Sequence, residues 1–271
     1  MNSKQREGAG ISVLNGWIHF LFWIAFLSMV PLSIAILWAW RAAFGESEER
    51  PGQAVLSDVC DRIGVGIATG ADEAFTVTDE EAAAIPDRFL RYWVGGRQLP
   101  KGSRDSVTKN ERIVWPYDEN GDLRPPEQIP EVISLLSEPL RRTRLERRTC
   151  AKAGRPWYAF HERPRPTELA CPKILIQDIQ LEPEFHLDLA GTVPKHSVYY
   201  LVPKDGVDIR SLLSYLNGPE ARRWLKANCQ PAAGGRIRLQ SMVLRDLPVP
   251  ELGKVKRQAK LREYNARVAA R

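Results

Sequence analysis

The sequence predicts an α+β fold: a β-rich body with a mixed or antiparallel sheet and a few helices, preceded by an N-terminal hydrophobic helix. Three observations predict it. Short apolar or β-branched runs bounded by Gly, Pro, Asp or Asn recur through the middle of the chain. Helical periodicity is confined to a few places and does not alternate regularly with the strand-like runs, which argues against a parallel α/β sheet. An uncharged apolar stretch near the N-terminus stands apart from everything that follows.

That stretch runs from Ile11 to Trp40. A bilayer core takes about 20 apolar residues as helix, so the run is long enough to span. Trp17, Trp38 and Trp40 near its ends suit the interface, and Pro31 would kink a spanning helix without forbidding it. It is too long for a signal peptide's apolar region and is followed by Arg41 rather than a small-residue cleavage site. Residues 1–44 are therefore expected to form a transmembrane helix, with a membrane contact through residues 11–40. Basic residues flank the run on both sides, so charge alone does not orient it.

Residues 45–54 are polar, carry the break Pro51-Gly52, and read as a linker; the body is expected over 55–250. Within it, strands are predicted at Phe75–Val77, Phe89–Val94, Ile113–Trp115, Lys173–Ile176, Phe185–Leu189 and Val198–Val202. Helical spacing of Ile129, Val132, Ile133, Leu136 and Leu140 predicts helix over 129–148, with Pro139 a kink or boundary. A second helical region over 208–228 carries Ile209, Leu212, Leu213, Leu216, Trp224 and Leu225 and is interrupted at Asn217-Gly218-Pro219. The 20 prolines disfavour long helices elsewhere in the body. Residues 251–271 form a basic tail.

The formal charge of +6 on 271 residues is mild but unevenly placed. Residues 51–140 carry 9 basic and 16 acidic side chains, whereas 141–173 carry 10 and 3 and 252–271 carry 7 and 1. Two positive blocks suit a polyanion such as nucleic acid, and also fit a solvated surface with a basic tail. Cys60, Cys150, Cys171 and Cys229 form no close pair, so neither a zinc site nor a disulfide framework is indicated, and scattered thiols fit a reducing compartment. Gly64-Val65-Gly66-Ile67-Ala68-Thr69-Gly70 has its third glycine one place late for a dinucleotide loop and lacks the lysine of a Walker loop. His161, His186 and His196 show no metal-ligand spacing, and no nucleophile–base set assembles. Glu80-Glu81 and Glu182/Glu184 read as solvated surface.

What remains is an ordered series of short segments: Gly66–Phe75, Phe89-Leu90-Arg91-Tyr92-Trp93, Ile113–Tyr117, Trp157-Tyr158, Pro172–Leu175, Leu216-Asn217-Gly218 and Leu247–Pro250. Their order and spacing resemble the TaqI-like C-terminal specificity domain, the target-recognition half, of adenine-specific methyltransferases in restriction-modification systems. In that family a Gly-Thr-Gly turn followed by an acidic or amide residue and Phe opens the domain. A helix ending Leu-x-x-Arg then precedes a Trp-Tyr pair and a Pro-Lys-Ile segment. Leu145-Glu146-Arg147-Arg148, Trp157-Tyr158 and Pro172-Lys173-Ile174 match that order here.

The resemblance implies sequence-specific recognition of double-stranded DNA. Guanidinium groups grip phosphates and read guanine edges, so arginine interleaved with aromatics suits that task. The expected DNA-binding residues are Arg91, Arg97, Arg144, Arg147, Arg148, Trp157, Arg163, Arg165 and Lys173. The glycines of Gly66–Phe75 read as structural, with Phe75 entering the core. The family's catalytic half carries an Asn/Asp/Ser-Pro-Pro-aromatic motif and a glycine-rich cofactor motif. The Pro125-Pro126 pair has neither flank, and no catalytic residue is expected in this chain. S-adenosylmethionine is expected on a separate catalytic domain or subunit, which would be the partner of this chain. DNA binding would place the body in the cytoplasm, anchored to the inner membrane by one N-terminal helix. Two other readings stay open: a single-pass membrane protein with a soluble interaction domain, and a truncated remnant without independent function.

Overall fold

The computed structural model describes residues 54–100 and 111–250. The expected membrane helix, most of the linker and the basic tail lie outside these residues. No helix among the described residues is long and apolar enough to cross a membrane.

The body opens with a one-turn helix at Leu56–Val59 and the strand β1, Cys60–Val65. β2 (Thr76–Val77), β3 (Leu90–Val94) and β4 (Glu111–Val114) follow, with short helices at Asp72–Phe75 and Asp79–Ala83. The helices Pro130–Leu136, Pro139–Glu146, Thr149–Lys152 and Pro166–Ala170 lead into β5 (Lys173–Gln177), β6 (Ile179–Gln180), β7 (Phe185–Asp188), β8 (Val193–Pro194) and β9 (Val198–Pro203). Helices at Ile209–Leu216 and Pro219–Asn228, the strands β10 (Gln230–Ala232) and β11 (Arg236–Arg238), and a helix at Ser241–Asp246 complete the body.

The strands form an antiparallel sheet in the order β1-β9-β5-β7, a smaller antiparallel sheet β10-β11-β6, and a mixed sheet β2-β4-β3-β8 in which only β3 and β8 run parallel. The first sheet separates two apolar cores. Alternate residues of a strand point to opposite faces. Leu175, Val198 and Tyr200 accordingly join the core built on the mixed sheet and the Pro130–Glu146 helices. Ile174, Ile176 and Leu201 join the core under the helices Ile209–Leu216 and Pro219–Asn228. A strand buried on both faces reads as an unbroken apolar run, which is why Ile174-Leu175-Ile176 is visible in the sequence.

All six expected strands are present to within a residue or two. The two expected helical regions are each two helices. Pro139 and Pro219 stand at the first helical positions of the second members, where the missing amide costs nothing and the fixed φ fits. Pro130 and Pro166 start helices in the same way, so proline here shortens helices by beginning them. β1 was not foreseen as a strand, because Asp61, Arg62 and Gly64 break its apolar pattern. Pairing with β9 fixes it.

Candidate functional site

The turn at Gly66–Phe75 is held by its own backbone and by distant side chains. Thr69 is fully buried. Its hydroxyl donates to Asp72 Oδ1 (2.5 Å) and accepts from the Ala71 amide (3.1 Å). Its carbonyl accepts from the His161 amide at 3.1 Å. Gly70 has φ +77°, a left-handed conformation that a side chain would strain, and a Cβ at Gly66 would lie 2.2 Å from the Lys195 carbonyl oxygen. Phe75 enters the core, its ring packed edge-on to Phe160 at 4.8 Å between centroids. Both glycines and the phenylalanine are therefore structural.

The arginine-rich helix Pro139–Glu146 and its continuation clamp that turn. Arg141, Arg144 and Arg148 recur at helical spacing, so they share one face. Arg141 donates from Nη1 to the carbonyls of Ala74 and Thr76, both at 2.9 Å, and from Nη2 to Glu81 at 2.5 Å. Arg144 pairs with Glu73. Arg148 is only 7% exposed, and its guanidinium donates to the carbonyls of Leu145 (3.0 Å), Thr69 (2.6 Å) and Trp157 (2.6 Å). Burial pulls the Arg148 pKa down, opposed by the nearby Cys150 and Tyr117. One buried guanidinium thus ties together the Ala68-Thr69-Gly70 turn, the helix end at Leu145 and the Trp157-Tyr158 pair.

Arg148, one of the residues expected to meet DNA, thus has all its guanidinium nitrogens engaged by backbone carbonyls. Lys173, also expected to meet DNA, has internal partners too. It is wholly buried at the start of β5, with Nζ 2.8 Å from Asp188 Oδ2 and 2.6 Å from the Leu169 carbonyl. Asp188 stands opposite it on β7 and also accepts from the amides of Ala190 and Thr192. Burial lowers the Lys173 pKa, opposed by Asp188. A lysine opening an apolar strand looks exposed in sequence; the cross-strand carboxylate that takes it inside is 15 residues away.

The remaining expected residues are spread over the surface. Trp157 is half-buried beneath the Arg142 guanidinium, 3.6 Å from its ring centroid. Arg91 is half-buried and donates to the carbonyls of Arg88 and Leu90; burial lowers its pKa. Arg97 and Arg147 are exposed with no ion pair among the described residues. Arg163 and Arg165 are exposed on the wall of a cleft of about 450 Å³ lined by Glu119, Asn120 and residues 163–168. Arg163 holds the cleft's outer turn by donating to the Gly121 carbonyl (3.0 Å) and Asp122 (2.6 Å). At the other wall Glu168 accepts from the Tyr200 hydroxyl (3.0 Å) and lies 3.3 Å from Arg62. The structure brings Arg163 and Arg165 into one cleft and leaves Arg97 and Arg147 as separate surface charges.

No group of His, Cys, Asp and Glu among the described residues could hold a metal ion, and the four cysteines are free. The sequence reading passed over residues 230–238, although Gly234-Gly235 between two short runs is a hairpin signal.

No family model matches the chain. It is 30% identical over 197 residues to the type II methyltransferase M.PaeR7I of Pseudomonas aeruginosa, covering 72% of this chain and 33% of that protein. It is 29% identical over 159 residues to the type II methyltransferase M.BanIII of Aneurinibacillus aneurinilyticus, covering 55% of this chain and 27% of that one. The chain spans about a third of the length of the curated relatives it matches. Among solved structures it is similar to the type IIL restriction-modification enzyme MmeI in complex with DNA, with a TM-score of 0.48 and 14% identity over 72% of this chain and 25% of that one. The type IIG restriction endonuclease BpuSI matches with a TM-score of 0.49 and 12% identity over 87% and 28%.

Proposed function

We propose that this chain is a sequence-specific reader of double-stranded DNA belonging to an adenine-specific restriction-modification methyltransferase. The observation that carries the reading is the 197-residue alignment to a portion of a type II methyltransferase. Two features support it. The segments that suggested a target-recognition domain pack against one another through Arg148, as parts of one domain would. Pro125-Pro126 is followed directly by Glu127 rather than by an aromatic, so this pair does not match the motif that accepts an adenine amine. A catalytic domain or subunit would supply that motif together with S-adenosylmethionine.

Arg97, Arg147, Arg163 and Arg165 then serve as phosphate contacts that set register. Arg144 joins them by exchanging Glu73 for phosphate, because an exposed ion pair is worth little. Trp157 stacks under the Arg142 guanidinium, and Arg91 is held by the carbonyls of Arg88 and Leu90.

Selection of the full-length chain against a random duplex library tests the reading. One sequence should be enriched. Five phosphate contacts predict an affinity loss of roughly five-hundredfold between about 50 and 200 mM salt. No enriched sequence and no loss with salt would refute it.

A further inference from the structure

β10 and β11 form a hairpin whose nine residues, Gln230 to Arg238, include two arginines and no acid. Its register pairs Gln230 with Arg238, Pro231 with Ile237 and Ala232 with Arg236. Paired residues share a face, so the hairpin is two-sided. Ile237 is buried and packs with the core beneath the helices Ile209–Leu216 and Pro219–Asn228. Gln230, Arg236 and Arg238 occupy the opposite face and are exposed. Neither arginine has an ion pair among the described residues, in contrast to Arg141, Arg144 and Arg163.

β6 pairs with β11 only at Ile237 and Arg238, so the outer half of the hairpin is a two-stranded ribbon. Its tip, Gly234-Gly235, has φ of +71° and +70°, and a Cβ at Gly234 would meet nothing within 4 Å. A Cβ at Gly235 would instead touch the Leu181 side chain at 3.8 Å, so the tip is open at Gly234 and rests on Leu181 on its other side. Glu182, the acid that follows β6, is neutralised by Lys226 at 2.5 Å, with Arg222 at 3.8 Å.

From this geometry we propose that the Gln230–Arg238 ribbon enters the major groove of DNA and reads base edges with Gln230, Arg236 and Arg238. The major groove admits a two-stranded β-ribbon, glutamine pairs bidentately with adenine, and arginine pairs bidentately with guanine. Arg236 stands near the tip, and Gln230 and Arg238 lie directly across from each other at the ribbon's base, where β6 adds a third strand, and would address neighbouring positions. Anchoring by Ile237 holds the ribbon rigidly enough to fix register. The small residues Ala232, Ala233, Gly234 and Gly235 keep the leading edge slim. The proposal rests on the DNA-reading function above and assigns it to residues outside the arginine-rich block.

The full-length chain and its Gln230→Ala, Arg238→Ala and Arg238→Lys variants are taken through the random duplex selection, then titrated on the enriched site and on a scrambled duplex. Unfolding curves of each variant are recorded alongside. Arg238→Ala should weaken the enriched site roughly 10- to 100-fold and the scrambled duplex far less. Arg238→Lys keeps the charge but not the planar fork, and should relax preference at one base position. Gln230→Ala should relax preference at a neighbouring one. Variants that select the same sequence with unchanged affinity, or that weaken both duplexes equally, would overturn the ribbon while leaving DNA reading intact. A wild-type chain that enriches nothing would overturn both.

Discussion

Lys173 and Arg148, two of the residues expected to bind DNA, are both held by partners inside the protein. Each cation is buried with its donors satisfied, Lys173 by Asp188 and the Leu169 carbonyl, Arg148 by three carbonyls. Removing one member of a buried ion pair leaves the other charge uncompensated, at a cost of about 3–5 kcal/mol. Lys173→Met should therefore lower the urea midpoint by that equivalent, while the DNA affinity of the protein that remains folded stays unchanged. A stable variant that binds DNA more weakly would return Lys173 to the interface. Arg148 was matched to the end of a Leu-x-x-Arg helix, and the geometry explains the match: only a planar fork with several donors reaches Leu145, Thr69 and Trp157 together.

Elements in this protein are joined by side chains that complete another element's backbone. Asn217, in the break between the helices Ile209–Leu216 and Pro219–Asn228, accepts from the Phe185 amide at 3.0 Å and donates to the Phe185 carbonyl at 2.9 Å. It thereby pairs the free edge of β7 as a neighbouring strand would, which blunts an exposed edge. Asn217→Leu leaves a buried amide and carbonyl unpaired and should cost about 2–4 kcal/mol. Hydrogen exchange is the direct readout, with protection of the Phe185 amide lost first; unchanged protection would show that another group pairs it. The sequence marks Leu216-Asn217-Gly218 as a helix stop, but not its bond to a strand 32 residues away. The same holds for the run at Arg141, Arg144 and Arg148. Its helical spacing is plain in the sequence, and its docking onto the Thr69–Thr76 segment is not.

Across the whole molecule, burial holds weak acids neutral in both cores. It pushes the Cys60 thiol up to about 12, helped by Asp61, and the Cys229 thiol up to about 11. The Tyr117 phenol is pushed up to about 12 by burial, opposed by its hydrogen bond to the Phe160 amide. A raised folded-state pKa gives stability that is complete below the unfolded value and is lost as pH rises toward the folded one. Unfolding free energy should thus be level near pH 8 and fall between about pH 9 and 12, by about 2 kcal/mol at pH 10.5 from Cys60 alone. A urea midpoint that is flat from pH 8 to 10.5 would contradict the buried placement of these groups. The sequence by itself determined the six strands with a period-two or unbroken apolar run, which is a local property of neighbouring residues, and not β1 or the 230–238 hairpin. It also determined the helix breaks, through proline and glycine, and the order of segments that resembles a target-recognition domain. Only the tertiary structure decided which cations are free. Whether an arginine or lysine faces solvent depends on carboxylates and carbonyls supplied by elements far away in the chain, such as Asp188 for Lys173 and Thr69 for Arg148. The same long-range pairing left Gln230, Arg236 and Arg238 on an open face, which the Gly234-Gly235 turn signal alone does not specify.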